Sequence, residues 1–112
     1  MSILETASQI NRAIIALGEE GKRPEKLIED KARTAADYDK NLAVEITRLK
    51  AKGEPVTTCK DTARGNVSES LYAKILAEET LKAHYSKIER LKAQLTGLQS
   101  INKHLDTYQS GK

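Results

Sequence analysis

Apolar residues recur at steps of three and four, with one step of six, over the last third of the chain, and no compact β or α/β fold accommodates that pattern. Val67, Leu71, Ile75, Leu81, Tyr85, Ile88, Leu91, Leu95, Leu98, Ile101, Leu105 and Tyr108 fall on one side of a single helix. A helix of that length, roughly 60 Å at a rise of ~1.5 Å per residue, needs a partner along its apolar stripe.

The partners are found upstream. Ser2 and Glu5 match the S-x-x-E capping box, and Ile3, Ala7, Ile10, Ile14 and Leu17 form a stripe behind it. Gly18 is a natural stop, so a first helix is expected over 3–17. Pro24 suits a first helical position. From there Ile28, Ala32, Ala35, Asp39, Leu42, Ile46 and Leu49 keep the rhythm, with acidic Asp39 as a polar seam residue. Gly53 and Pro55 end that second helix near Lys52. The expected boundaries are 3–17, 24–52 and 67–109, with a central loop at 53–66. Asn66 and Glu69 would cap the last helix.

These lengths predict an all-α fold in one helical domain spanning 1–112. It is a long antiparallel hairpin, coiled-coil-like, with the short first helix packed on the far half of the last. In the expected register Leu49 faces Leu71, Ile46 faces Ile75, Leu17 faces Leu98 and Ile14 faces Ile101. With no Trp or Phe among 112 residues, such a core is thin. Self-association into a homo-oligomer is the expected remedy.

Function is less legible. No phosphate-binding glycine loop, dinucleotide fingerprint, zinc-binding H-E-x-x-H or nucleophile elbow occurs. His84 and His104 lie far from the one cysteine, Cys59, in the expected register, which argues against a Cys–His pair. His84 reads as a helix-flank residue. The spacings offer too few ligands for a metal. The reading is therefore a non-enzymatic protein with no catalytic residue, metal or cofactor. A lone cysteine fits a reducing compartment, and no apolar run is long enough to span a membrane. The start M-S-I-L-E lacks the basic and apolar regions of a secretory signal. A cytoplasmic protein is expected.

Charge adds one candidate site. Arg48, Lys50 and Lys52 close the second helix, and Lys60 and Arg64 follow in the central stretch, beside the expected start of the last helix, whose free N–H groups favour anions. Lys82, Lys87, Arg90 and Lys92 form a second basic face. The net charge is only +3, and acids and bases are interspersed. A solvated surface accounts for that pattern as well as a polyanion does. Tyr38 and Tyr72 lie beside the stripe and suit a subunit contact.

The stretch P-V-T-T-C-K-D-T-A-R-G-N resembles a family of small helical early proteins of phages and prophages of Gram-positive bacteria. There a P-V-T-x-x-x-D-x-A-[KR]-G turn joins two long helices. Pro55, Val56, Thr57, Asp61, Ala63, Arg64 and Gly65 match that turn. The resemblance implies a viral protein acting in the cytoplasm of an infected bacterium. The resemblance gives no mechanism, but together with the absence of catalytic motifs it leads to the expectation of an inhibitor or sequestering factor of counter-defence type that binds a host or phage partner. Two alternatives stand beside it. One is a sponge for an anionic nucleotide signal at the 53–66 loop and subunit contacts. The other is an accessory DNA-binding factor in phage recombination or replication. The candidate partner-binding residues are Arg48, Pro55, Val56, Thr57, Thr58, Lys60, Asp61, Arg64, Gly65 and Asn66. A purely structural role, in which Thr, Asp and Pro cap helices and pack the hairpin end, remains open for the same residues.

Overall fold

The structure, a computed structural model, describes residues 2–110, with side chains through 107. The expected stripe residue Tyr108 lies outside the described side chains. Among the described residues the secondary structure is helical throughout, in four elements: α1 (Ile3–Glu20), α2 (Pro24–Ala51), α3 (Val56–Asn66) and α4 (Ser68–Ser110). They divide between two compact units. The contiguous one spans Glu25–Lys82, and the other joins Met1–Pro24 to Ala83–Lys112, so α4 contributes to both.

α1 starts as the sequence predicts. The Ser2 hydroxyl accepts from the Glu5 amide at 3.1 Å, and the Glu5 carboxylate accepts from the Ser2 amide at 3.4 Å. It does not stop at Gly18. A glycine in a helix costs only ~1 kcal/mol relative to alanine. Ending the helix there would require a change of backbone conformation, and Gly18 does not have positive φ. The helix continues to Glu20, where the Gly21 amide donates to Leu17 O at 2.9 Å. α2 ends where expected. Gly53 takes φ 85°, its amide donates to Lys50 O at 3.0 Å, and the Glu54 amide donates to Leu49 O at 3.1 Å. These are the two bonds of a Schellman motif.

The expected loop at 53–66 is the main correction. Only Lys52–Pro55 lack regular structure; Val56–Asn66 is a helix of 11 residues. Its sequence has three threonines, a valine and a glycine, which are poor helix formers. An isolated helix so short is marginal. Packing supplies what propensity lacks. Cys59 and Ala63, one turn apart, are buried against Leu49, with Leu42 and Ile46 alongside. The Cys59 thiol also donates to the Ile46 carbonyl at 3.5 Å. Small side chains at both positions let α3 approach α2 closely.

The extra helix changes the register. Val67 joins α3 to α4, its amide bonded to Ala63 O at 3.0 Å. α4 therefore begins alongside the middle of α2, not its end. The Asn41 side chain donates to Ser70 Oγ at 3.1 Å, and Lys74 Nζ lies 5.0 Å from the centre of the Tyr38 ring. The hairpin is antiparallel, but slipped by roughly nine residues, or two and a half turns. The pairs Leu49–Leu71 and Ile46–Ile75 do not form: Leu49 packs on α3 and Ile75 is exposed. Tyr38, expected beside the stripe at a subunit contact, is buried within the chain, and Asp39 is exposed instead of lying in the seam. Tyr72 is exposed.

In the other unit α1 packs on the far half of α4, also in a slipped register. Glu20 lies beside His84 and Lys87, so Leu17 cannot sit opposite Leu98. Ile14 and Ile101, an expected pair, are both exposed. The inward side of α1 reads Ile3, Thr6, Ile10, Ala13, Leu17, Glu20. Three of the five expected stripe residues, Ile3, Ile10 and Leu17, are present, and Ala7 and Ile14 give way to Thr6 and Ala13, one residue earlier.

Candidate functional site

α3 carries most of the residues that the sequence nominates, and its geometry sorts them. Cys59 and Ala63 face inward, as described. Thr57, Asp61 and Arg64 are spaced i, i+4, i+7, so they lie along the opposite side, where all three are exposed. Thr58 and Gly65 flank that row and Lys60 lies at its edge, all exposed. The Thr58 hydroxyl donates to Pro55 O at 3.3 Å, which tightens the first turn. Pro55 precedes the helix, and no side chain caps that end. Val56 is exposed. A stretch expected as a loop is thus a short helical ridge, polar outside and apolar beneath.

Arg48 and Asn66 belong to a different arrangement. Both converge on Glu45 of α2. The Arg48 guanidinium forks onto the carboxylate, with Nε 3.0 Å from Oε2, and Asn66 Nδ2 donates to Oε1 at 3.0 Å. Asn66 therefore ties the end of α3 to α2 and does not cap α4. The Arg48 hydrogen bonds, then that from Asn66, hold the Glu45 carboxyl down at about 2. Arg48 is raised above its ordinary value by the same pairing. Its charge is already answered within the chain, so it is a weak candidate for a bound anion.

Next to Asn66 lies an open groove of about 410 Å³, lined by Thr34, Asp37, Asn41, Asn66, Val67, Glu69, Ser70 and Ala73. Its charged side chains, Asp37 and Glu69, are both acidic. A second groove of about 290 Å³ runs between α2 and α4, with Leu27, Ala73, Leu76 and Ala77 as its apolar part and the Asp30–Arg33 ion pair (2.7 Å) among its lining. The basic face expected on α4 is also largely answered. Lys82 pairs with Glu79 at 3.4 Å, Lys87 with Glu20 at 2.6 Å and Lys92 with Glu89 at 3.6 Å.

One polar cluster escaped the sequence reading. Glu20 and His84 are buried. Lys87 Nζ donates to Glu20 Oε1 at 2.6 Å, and His84 Nδ1 lies 3.2 Å from Oε2. The hydrogen bond from Lys87 is the main reason the Glu20 carboxyl sits below its ordinary value. Burial opposes it, while the charges of Lys87 and Arg23 and the bond from His84 reinforce it. An ionised Glu20 makes Nδ1 the protonated nitrogen of His84. Nε2 is buried without a partner among the described residues. His84 is therefore a core residue, not the flank residue expected. The signal was present: Leu81, His84, Ile88 and Leu91 continue the rhythm as well as Tyr85 does. A Glu–His pair alone lacks a nucleophile or a third metal ligand, and no group of three such ligands occurs among the described residues. Cys59 and His84 lie in different units.

No helix among the described residues is long and apolar enough to cross a membrane. No family model, no curated protein and no solved structure matches the chain.

Proposed function

We propose that this chain is a non-enzymatic, phage-encoded helical binding protein that inhibits or sequesters a protein of its bacterial host. The observation that carries this reading is the outward ridge of α3. Thr57, Asp61 and Arg64 are exposed along one side of a helix whose other side is anchored by Cys59 and Ala63. Alternating hydroxyl, carboxylate and guanidinium groups on a fixed backbone suit a protein surface of mixed charge, where electrostatic complementarity sets specificity. Pro55, Val56, Thr58, Lys60 and Gly65 frame that ridge, while Arg48 and Asn66 support it through Glu45.

The surroundings favour a protein over an anionic nucleotide. A concavity beside Asn66, at the end of α3, holds Asp37 and Glu69, and two carboxylates there repel a phosphate. They also favour a protein over DNA, because most of the basic face on α4 is paired with glutamates.

The test begins with affinity capture from lysate of a Gram-positive host, followed by binding measurements with the captured protein purified. Arg64→Ala and Asp61→Ala should each weaken that binding tenfold or more, with helicity unchanged. A melting temperature raised by a cyclic or ADP-ribose-type nucleotide would establish the sponge reading instead. Binding to DNA that weakens steeply with salt would establish the DNA reading.

A further inference from the structure

The outward side of α1 has no role in binding through α3, yet it carries three exposed large apolar side chains. Leu4 is 82% exposed, Ile14 51% and Ile15 56%. Leu4, Ser8, Asn11 and Ile15 follow steps of four, three and four along that side, with Ala7 and Ile14 on one edge, and all six are exposed. A helix apolar on both sides is normally covered on both. Its charge is equally distinctive. Between Ile3 and Gly18 the charged residues are Glu5 and Arg12, opposite in sign and seven positions apart. They therefore lie in one row, along the other edge of the same face. Arg12 has no ion pair among the described residues. A shallow concavity lined by Leu4, Glu5, Ser8, Gln9 and Arg12 lies between that row and the apolar one.

We infer that this face pairs with the same face of a second copy of the chain, antiparallel, about a twofold axis. The charge row selects the orientation. When two such helices run antiparallel with Leu4 layered on Ile15 of the second copy, Ser8 layers on Asn11. That register sets Glu5 across from Arg12 of the second copy, and the twofold axis repeats the pair. On the opposite edge it sets Ala7 against Ile14, again twice. One register thus satisfies both edges. A parallel pairing places Arg12 across from Ala7 and leaves both charges unanswered. Glu5 can serve both roles, because its bond to the Ser2 amide uses one carboxylate oxygen.

The face is short, about 27 Å along an 18-residue helix. Two such surfaces are small beside a standard interface, which suits a dimer in exchange with its monomer. This pairing is independent of the partner proposed for α3, which lies in the other unit.

Sedimentation equilibrium of the full chain over a concentration series tests the inference. The mass should rise from one chain to two. Ile15→Asp should abolish the rise. Arg12→Glu and Glu5→Lys should each raise the midpoint concentration tenfold or more. An equimolar mixture of those two variants should recover the midpoint, because each then meets an opposite charge. Chains carrying Leu4→Cys and Ile15→Cys should form disulfides faster when mixed than either does alone. A single-chain mass at all concentrations, or a dimer indifferent to Ile15→Asp and Arg12→Glu, overturns the pairing. Faster crosslinking within each cysteine variant alone overturns the antiparallel register.

Discussion

Leu49→Ala isolates the contact on which the α3 ridge depends. Leu49 is 4% exposed and packs with Cys59 and Ala63, with Leu42 and Ile46 at the margin. Truncating a buried leucine to alanine removes transfer energy and leaves a cavity, together about 2–5 kcal/mol. The cluster is small, and Leu42 and Ile46 are only partly buried, so the site has room to relax. The lower half of that range, about 2–3 kcal/mol, is expected. With a urea dependence of ~1–2 kcal/mol/M, the unfolding midpoint should fall by roughly 1–3 M. The loss should be local before it is global. α3 has poor intrinsic propensity, so amides of Val56–Asn66 should exchange with solvent much faster in the variant. Exchange in the α4 segment beyond Lys82, which belongs to the other unit, should change less. A midpoint shift under roughly 0.5 M, with α3 amides still protected, would refute the claim that packing on Leu49 holds α3 helical.

Two glycines make an opposed pair. At Gly97, inside α4, an added Cβ meets nothing within 4 Å, so Gly97→Ala should stabilise by ~1 kcal/mol through helix propensity alone. Gly53 also has open space but holds φ +85°, so Gly53→Ala should destabilise by ~1–2 kcal/mol through left-handed strain. Thermal or urea unfolding of the two variants should move in opposite directions. The acid limb of stability follows from Glu45 and Glu20. Both carboxyls are depressed in the folded state, Glu45 from 4.5 to about 2. The unfolded chain binds protons first as pH falls, so their contribution is complete above about pH 4.5 and is lost between there and pH 2. Arg48→Gln removes the largest cause at Glu45, so the decline in urea midpoint over that interval should become shallower.

The helical class, the caps at Ser2 and Gly53 and the placement of α1 on the far half of α4 were legible in the residues. Each rests on a local rule: a capping box, a Schellman glycine, a stripe of one period. Register was not legible, because it depends on α3. Thr57, Thr58, Gly65 and the flanking Pro55 read as loop chemistry, and no local rule reveals that Cys59 and Ala63 will be buried against Leu49. Missing that helix displaced the expected pairs between α2 and α4 by roughly nine residues. His84 and Tyr85 compete for one stripe position, and apolarity favoured the wrong one. The choice turns on Glu20, sixty-four positions away, which no pattern in α4 contains. Of the nominated site residues, Thr57, Asp61 and Arg64 share a face as a helix would place them, whereas Arg48 and Asn66 meet on Glu45, a residue that sequence reasoning passed over.

The division of α4 between two units has a consequence for biosynthesis. The Glu25–Lys82 unit is contiguous, so its contacts become available as soon as that segment clears the ribosome. α1 must wait for its partner. The 64 positions from Glu20 to His84 take about 3–13 s to translate at ~5–20 residues/s. During that interval both sides of α1 are uncovered, and its isoleucines are open to chaperones or to α1 of a neighbouring nascent chain. An encounter between two chains on one message can therefore precede the closing of α1 onto α4.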